Sequence, residues 1–411
     1  MTRVLVVGCG FPQLSLVRAA KRRGLYVIGA DVDPHAVAAP HTDELALVST
    51  HDVEGLCQLA RAARAEAVTT TGSEVSLRAT AQVARELKLP FYADVETVRR
   101  CQDKDAMRAG YAAAGLAVPA FARCESLEQA RAFAGLHGFP LVVKPSRGWG
   151  QRGVARVEGD AQLASAFEEA RAYSAAAGLP VVVVETWLEG REYSVNGWIE
   201  EGELVSYCVT ERLTVPGSRP LGVMIAEVYP SGLPADDEGR LVDEARRGAA
   251  ALGHVRGPCY SQAVMSPGGK CFLFETAARL GGGFDGDVTR LASGVDLYDR
   301  LLGVALGDAA LERQGPVAPP HAAAIAKFLV APPGRVVAVR GLEEARALEG
   351  VEDVQVFVPV GGRVMPLTDS AKRAAYALAS GGTRGQATAR ADAALARVHV
   401  ETLADRGAEG V

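Results

Sequence analysis

No run of about eighteen or more apolar residues occurs in this 411-residue chain, which leaves no candidate for a membrane-spanning helix. A basic excess is also missing: 44 Lys and Arg stand against 49 Asp and Glu, for a net charge of -5. A dedicated nucleic-acid binder carries the opposite balance. The seven cysteines are scattered, odd in number and without a Cys-x-x-Cys pair. That pattern excludes a disulfide framework and thiolate metal binding, and it points to reduced thiols in the cytoplasm. No Ser/His/Asp or Cys/His arrangement for nucleophilic catalysis stands out, and there is neither an internal repeat nor a low-complexity tract beyond general alanine richness. The apolar run in Met1-Thr-Arg-Val-Leu-Val-Val-Gly8 is too short for a signal peptide and ends in glycine, so a strand and turn explain it.

What is present suits a globular enzyme of two or three domains, with 48% apolar and 23% charged residues. Arg3–Val7, Tyr26–Ala30, Leu45–Val48 and Ala67–Thr70 read as short buried strands alternating with helices, the signature of a doubly wound parallel sheet. Gly8-Cys-Gly10 with Asp31 and Asp33 resembles part of a dinucleotide fingerprint, but Pro12 and Gln13 stand where its third glycine belongs, so a tight turn is the simpler reading. The character changes near residue 103. A helix opens at Asp103-Lys104, and residues 120–190 alternate strand and helix in a small lobe. Residues 192–210 and 258–275 read as antiparallel hairpins turning at Glu200-Glu-Gly202 and Pro267-Gly-Gly269, with a helix over 237–252 between them. Gln314–Pro320 marks a boundary before a last βαβ-like segment, and residues 405–411 are expected to fray. The expected division is 1–102, 103–190, 191–314 and 315–411.

The most informative stretch is Lys144-Pro-Ser146-Arg-Gly148-Trp-Gly150-Gln-Arg-Gly153-Val154. A lysine leaves a strand into a loop whose glycines let backbone N–H groups approach phosphate oxygens, while the ammonium supplies a point charge. No helix follows, so this is not a Walker-type loop; read alone, it is equally an ordinary hairpin tip. Four features add to it. Lys104 precedes the small lobe. Glu185-Thr-Trp187-Leu188-Glu-Gly-Arg-Glu192 ends a strand in a carboxylate and an exposed apolar pair, suited to an adenine slot with Glu192 near ribose hydroxyls. Gln262 and Glu275 lie on adjacent predicted strands where they can face one side, and a carboxylate in an apolar strand needs a cation, either Mg²⁺ or Arg279. Arg279-Leu-Gly-Gly-Gly283 then offers a guanidinium for developing charge and a backbone that allows close approach.

The order of these motifs, Lys-Pro into a glycine-rich loop, Glu-x-x-x-x-Gly-x-Glu-Tyr-Ser-Val, then Glu-x-x-x-Arg-x-Gly-Gly-Gly, resembles the ATP-grasp superfamily over nearly the whole chain. The segment from Ala323 through Gly334, Gly350–Val354 and Pro366 resembles the C-terminal domain of L-amino-acid ligases. The implied fold class is α/β: an ATP-grasp fold with an N-terminal doubly wound parallel domain, a small α+β lid lobe and a mixed α/β C-terminal domain. The resemblance implies that Lys104, Lys144, Ser146, Gly148, Gly150 and Gly153 contact ATP phosphates. Glu185, Trp187 and Leu188 would hold adenine and Glu192 the ribose. Glu275 and Gln262 would bind Mg²⁺, glutamine being the residue that carbamoyl-phosphate-synthase-like members use there, and Arg279 would bind the acyl phosphate. One departure is Ala277, where many members have asparagine. A second metal ion would then need another ligand, such as Asp285 or Asp287.

The implied reaction is carboxylate–amine ligation: a substrate carboxylate takes the γ-phosphoryl group, and an amine captures the acyl phosphate, giving an amide, ADP and phosphate. Lys144 and Arg279 carry the catalytic assignment. The glycine-rich loop is expected to act as a lid, with Arg147, Trp149 and Arg152 at its tip, poorly ordered without nucleotide and ordered with it. Glu211–Arg219 with Glu227–Pro230 is expected to line the substrate pockets, where Arg212, Arg219 and Glu227 suit zwitterions. A bicarbonate-activating carboxylase of the biotin-carboxylase or purine-biosynthetic type and a non-catalytic ATP-binding module remain as alternatives. The partners expected are small-molecule acids and amines, with neither nucleic acid nor membrane, in a homodimer by default.

Overall fold

In the computed structural model, residues 1–216, 221–318 and 320–404 are described. Arg219, Pro319 and the 405–411 tail therefore lie outside the described residues. The four N-terminal strands form a parallel sheet in the order Glu44–Ala46, Tyr26–Ala30, Arg3–Val7, Ala67–Thr69. Leu5, Val7, Ile28 and Val68 are fully buried there against Leu56 and Val83 of the helices Val53–Ala62 and Glu74–Leu87. The third strand is shifted from the expected Leu45–Val48. Gly8-Cys-Gly10 is a turn: Gly8 sits at φ +88°, and the Asp31 carboxylate accepts from Cys9 N at 2.8 Å and Asp33 N at 3.0 Å. Those backbone donors occupy the acid that a dinucleotide ribose would need.

This sheet belongs to the first of two units, Met1–Val118 with Tyr193–Val209 and Leu233–Pro320. The same unit holds the antiparallel hairpin Gly257–Met265 and Cys271–Ala277, followed in the strand order by residues 193–200 of the strand Arg191–Glu200 and residues 203–209 of the strand Glu203–Thr214. The helix Ala235–Ala251 packs on the hairpin and brings Leu241 and Ala245 into the interior.

The second unit comprises Pro119–Glu192, Thr210–Gly232 and His321–Val411. Its small lobe is a sheet in the order Phe121–Cys124, Val182–Thr186, Leu141–Pro145, Ala155–Val157, every pairing antiparallel. The helices Leu127–His137 and Asp160–Ala176 cover it through Phe133, Leu163 and Phe167. The Val181–Val184 run is a central strand buried on both faces, which is why it lacks any polar alternation. In the C-terminal part, Met224–Tyr229, Ala323–Leu329, Ala375–Gly381 and Val351–Val356 are neighbours in that order, and the helix Arg384–Arg397 lies against them. Ala323, Ala375, Ala377, Ala379, Ala387, Ala391 and Ala394 are all fully buried here. The alanine richness thus lets a helix approach a sheet closely.

All seven cysteines are buried and none is in a disulfide. No helix among the described residues is long and apolar enough to cross a membrane. His254, after the Ala235–Ala251 helix, is 1% exposed, and its Nε2 donates to Pro258 O at 2.8 Å. Its Nδ1 has no partner, and burial pulls its pKa down to about 4. The neutral ring therefore contributes stability that is complete above the ordinary value of 6.5 and is lost as pH falls towards 4. The loss should be roughly 3 kcal/mol. Denaturant midpoints measured from pH 7 to 4 should fall more steeply in the wild type than in His254→Gln; parallel curves would refute the assignment.

Candidate functional site

Lys144 leaves the strand Leu141–Pro145 opposite Val183 of Val182–Thr186, and Glu185 lies two residues along from that partner, on the same face. Lys144 Nζ donates to Glu185 Oε2 at 2.7 Å, with 8% and 5% of the two side chains exposed. Charges so deeply buried are tolerated because each neutralises the other. Ser146 is fully buried, and its N–H donates to Val181 O at 3.0 Å. Gly150 and Gly153 take φ of +69° and +66°, the left-handed region where glycine is unstrained. Gly153 has a second reason to be glycine: a Cβ there would lie 2.7 Å from the Tyr173 ring and 3.3 Å from Ala170 Cα. Gly148 packs over Pro145.

Arg147 does not sit at the loop tip as expected. Its N–H donates to Ser174 Oγ at 3.1 Å and its guanidinium to Ala177 O at 3.3 Å. Ala177 follows the helix Asp160–Ala176, whose last carbonyls lack helical partners, and the arginine satisfies one of them. Arg147 therefore anchors the loop base.

Trp187 is half-buried with the Arg156 guanidinium over its ring at 4.4 Å, and its backbone N–H donates to Pro140 O at 3.2 Å. Leu188 follows, also half-buried. Glu192 accepts from Arg212 Nη1 at 2.7 Å, and Arg212 Nε lies 3.8 Å from the fully buried Glu227. Trp187, Glu192 and Arg212 line one cavity of about 500 Å³, together with Arg156, Leu213 and Gly222. Trp187 and Glu192 thus share a cavity with part of the expected substrate segment, and Glu185 and Leu188 are not among its lining residues.

The remaining expected residues lie in the first unit. Gln262 and Glu275 are register partners across the hairpin, with a bulge immediately after Gln262. Gln262 is 4% exposed; its Nε2 donates to the Tyr260 hydroxyl, while its Oε1 is buried without a hydrogen-bond partner. Arg279, 5% exposed, donates to Glu74 and to Leu280 O at 3.0 Å, lies 3.7 Å from Glu275 Oε1, and covers the Tyr260 ring at 5.1 Å. Burial alone would lower its pKa, but the charges of Glu74 and Glu275 outweigh that and hold it above the ordinary value. Lys104 begins the helix Lys104–Ala113, half-buried.

Glu74 was not foreseen. Gly72-Ser-Glu74 reads as an ordinary helix start, with Ser73 as the cap, and nothing in it points to an arginine 205 positions onward. The contact follows from the close packing of two glycines: a Cβ on Gly282 would lie 2.5 Å from Gly72 O.

The Gln262 and Glu275 oxygens fit a Mg²⁺ ion that takes its other ligands from phosphate and water, since this hard ion uses few protein carboxylates. No group of three or more His, Cys, Asp or Glu among the described residues could hold a metal, so any such ion needs oxygens from elsewhere. Ala277 is buried opposite Tyr260. Asp285 accepts from Gly283 N at 2.8 Å and Asn196 Nδ2 at 3.2 Å, and Asp287 from Ser15 Oγ at 2.7 Å and Tyr298 at 2.8 Å. Both aspartates hold local structure through these hydrogen bonds.

The family described as "Carbamoyl-phosphate synthase L chain, ATP binding domain" matches residues 103–313, about half of the chain, and "L-amino acid ligase C-terminal domain 2" matches 327–403. The chain belongs to the ATP-grasp carboxylate–amine ligases that carry this ATP-binding domain. It is accordingly an ATP-dependent, ADP-forming ligase, with an L-amino-acid-ligase-type C-terminal region. It is 27% identical over 382 residues to the uncharacterised protein y4rH of Sinorhizobium fredii, spanning 91% of this chain and 77% of that one. A D-alanine–D-alanine ligase of Streptomyces coelicolor is 40% identical over 101 residues, which are 22% of this chain and 25% of that enzyme. The fold matches the crystal structure of an L-amino acid ligase from Bacillus licheniformis with a TM-score of 0.78 and 21% identity, covering 98% of this chain and 99% of that one.

Proposed function

We propose that the protein couples cleavage of ATP to ADP and phosphate to amide formation between an amino acid, or a related acid, and an amine. The observation that carries this reading is Arg279, buried between Glu74 and Glu275 with the unpartnered Gln262 Oε1 on the same hairpin. A buried cation beside open oxygen ligands and a triple-glycine backbone suits an anion that changes shape during reaction.

A carboxylate oxygen of the acid attacks the γ-phosphorus, and the bond from that phosphorus to the β-bridging oxygen breaks, releasing ADP. The amine nitrogen then attacks the acyl carbon, the carbon–oxygen bond to phosphate breaks, and the amine loses a proton to give the amide. Arg279 holds the acyl phosphate and offsets charge on it as phosphate leaves. Lys144 steadies the ATP phosphates, with Lys104 a further phosphate contact. Ser146, Gly148, Gly150 and Gly153 shape the loop around them. Glu185, Trp187 and Leu188 receive adenine, and Glu192, oriented by Arg212, receives the ribose. Mg²⁺, held by Glu275 and Gln262, would neutralise charge between the phosphates. The cytoplasm is the compartment of this reading, supported by seven buried thiols outside any disulfide.

ADP release measured over a panel of amino acids and amines tests the proposal. Release should need both an acid and an amine and should yield an equal amount of amide. Stimulation by bicarbonate alone would replace this reading with a carboxylase, and ATP binding without any turnover would leave only a binding module.

A further inference from the structure

The tip of the glycine-rich loop is tied to a turn more than two hundred positions away in the sequence. Ser370 N donates to Gly150 O at 3.1 Å, and Ser370 Oγ donates to Gln151 Oε1 at 2.8 Å. Arg152 Nε lies 3.4 Å from Asp369 Oδ2. The tip is shaped to reach this turn: Gln151, a non-glycine residue, is held at φ +64° between Gly150 and Arg152. A side chain with a β-carbon occupies that region only when its surroundings hold it there.

The turn is itself rigidly held within the same unit. Asp369 caps the short helix Ser370–Lys372 by accepting from Ala371 N at 2.9 Å, and its side chain is 7% exposed. Arg373, 4% exposed, donates to Ser370 O at 2.7 Å and to Met224 O at 3.3 Å, and lies over the Phe328 ring at 3.6 Å. Ala374 N donates to Leu329 O at 2.9 Å. An arginine buried so completely, bonded to the turn and to two strands, makes the turn part of the sheet. Three contacts therefore fasten the loop tip, while Arg147 and Ser146 fasten its base.

We propose that Asp369 and Ser370 are positioning residues for the phosphate loop: the C-terminal turn holds Gly150–Arg152 in place before nucleotide arrives and so sets the affinity for ATP. The proposal rests on the reading of this loop as the ATP-phosphate loop. A loop held in advance spends less binding energy on ordering itself, so loosening it weakens nucleotide binding without removing any group that touches the nucleotide.

Ser370→Pro is the sharp test. Ser370 is the first residue of its helix, where proline is tolerated, and Asp369 is extended at φ -158°, ψ 170°, as a residue before proline prefers. The substitution removes both Ser370 donors and leaves the Asp369 cap intact. Hydrogen exchange of the 148–153 amides in the full-length, nucleotide-free protein should quicken by about tenfold, as expected for two lost hydrogen bonds. ATP binding, measured calorimetrically without acid or amine, should weaken by about the same factor. Ser370→Thr keeps the N–H and a hydroxyl and should stay near wild type in both measurements. If Ser370→Pro does not fold, the double variant Arg152→Gln, Ser370→Ala serves, with about a fivefold effect expected. Unchanged exchange in a folded variant overturns the proposal. Faster exchange with unchanged ATP affinity would uphold the fastening of the loop and overturn the ATP reading on which it rests.

Discussion

Arg279→Ala is expected to lower ADP release with a productive acid–amine pair by about a thousandfold, the upper end for removing one preorganised donor from a developing charge. The variant should also lose about 3 kcal/mol of stability, because Glu74 and Glu275 are left sharing a largely buried space without their cation. Arg279→Lys separates the two effects. An ammonium still neutralises the carboxylates and should recover most of the stability, but it cannot present a planar fork to a tetrahedral acyl-phosphate species, so activity should stay low. Denaturant midpoints and steady-state kinetics on the three proteins decide the matter. An alanine variant within tenfold of wild-type turnover would remove Arg279 from the chemistry and leave it as the strut of an ion-pair cluster.

Lys144 and Glu185 give the second large effect. Each singly neutralised variant, Lys144→Met or Glu185→Leu, leaves one charge in a site where the side chains are only 8% and 5% exposed. Each should lose about 3–5 kcal/mol of stability. The double variant should recover nearly all of it, because two apolar side chains of similar volume fill the same space without a desolvated charge. ATP binding should stay weak in all three, since Lys144 is absent or loses the carboxylate that aims it. Equal destabilisation by the single and double changes would mean that the two charges are not coupled, against their 2.7 Å contact.

The distance between sequence and structure is measured best by particular residues. The turn showed that residues 258–265 and 271–277 form a hairpin, but the pairing of Gln262 with Glu275 depends on the bulge after Gln262, without which the register would set Gln262 opposite Phe274. The glycine-rich loop was legible because a lysine and three glycines in ten residues at a strand exit suit a phosphate cradle. Arg147 was misplaced because the helix end that accepts its hydrogen bond, at Ala177, comes 30 residues later and has no sequence mark of needing one. Arg212 was suspected only as part of a charge mixture. Its place between Glu192 and Glu227 depends on three strands lying side by side, which no local pattern encodes.

By itself the sequence determined the class of chemistry: which side chains carry charge, which strands lie buried on both faces, where glycine frees the backbone, and in what order these occur. Those properties follow from local periodicity and composition, and they survive any uncertainty about packing. Only the tertiary structure decided that Glu74 holds Arg279, that Asp285 accepts from Gly283 and Asp287 from Tyr298, and that Asp369 and Ser370 fasten the tip of the glycine-rich loop. Each of these joins residues far apart in the chain through contacts that exist only once the sheets have formed. A buried carboxylate or hydroxyl is indistinguishable in sequence from a solvated one, and the partner that separates them is supplied by folding.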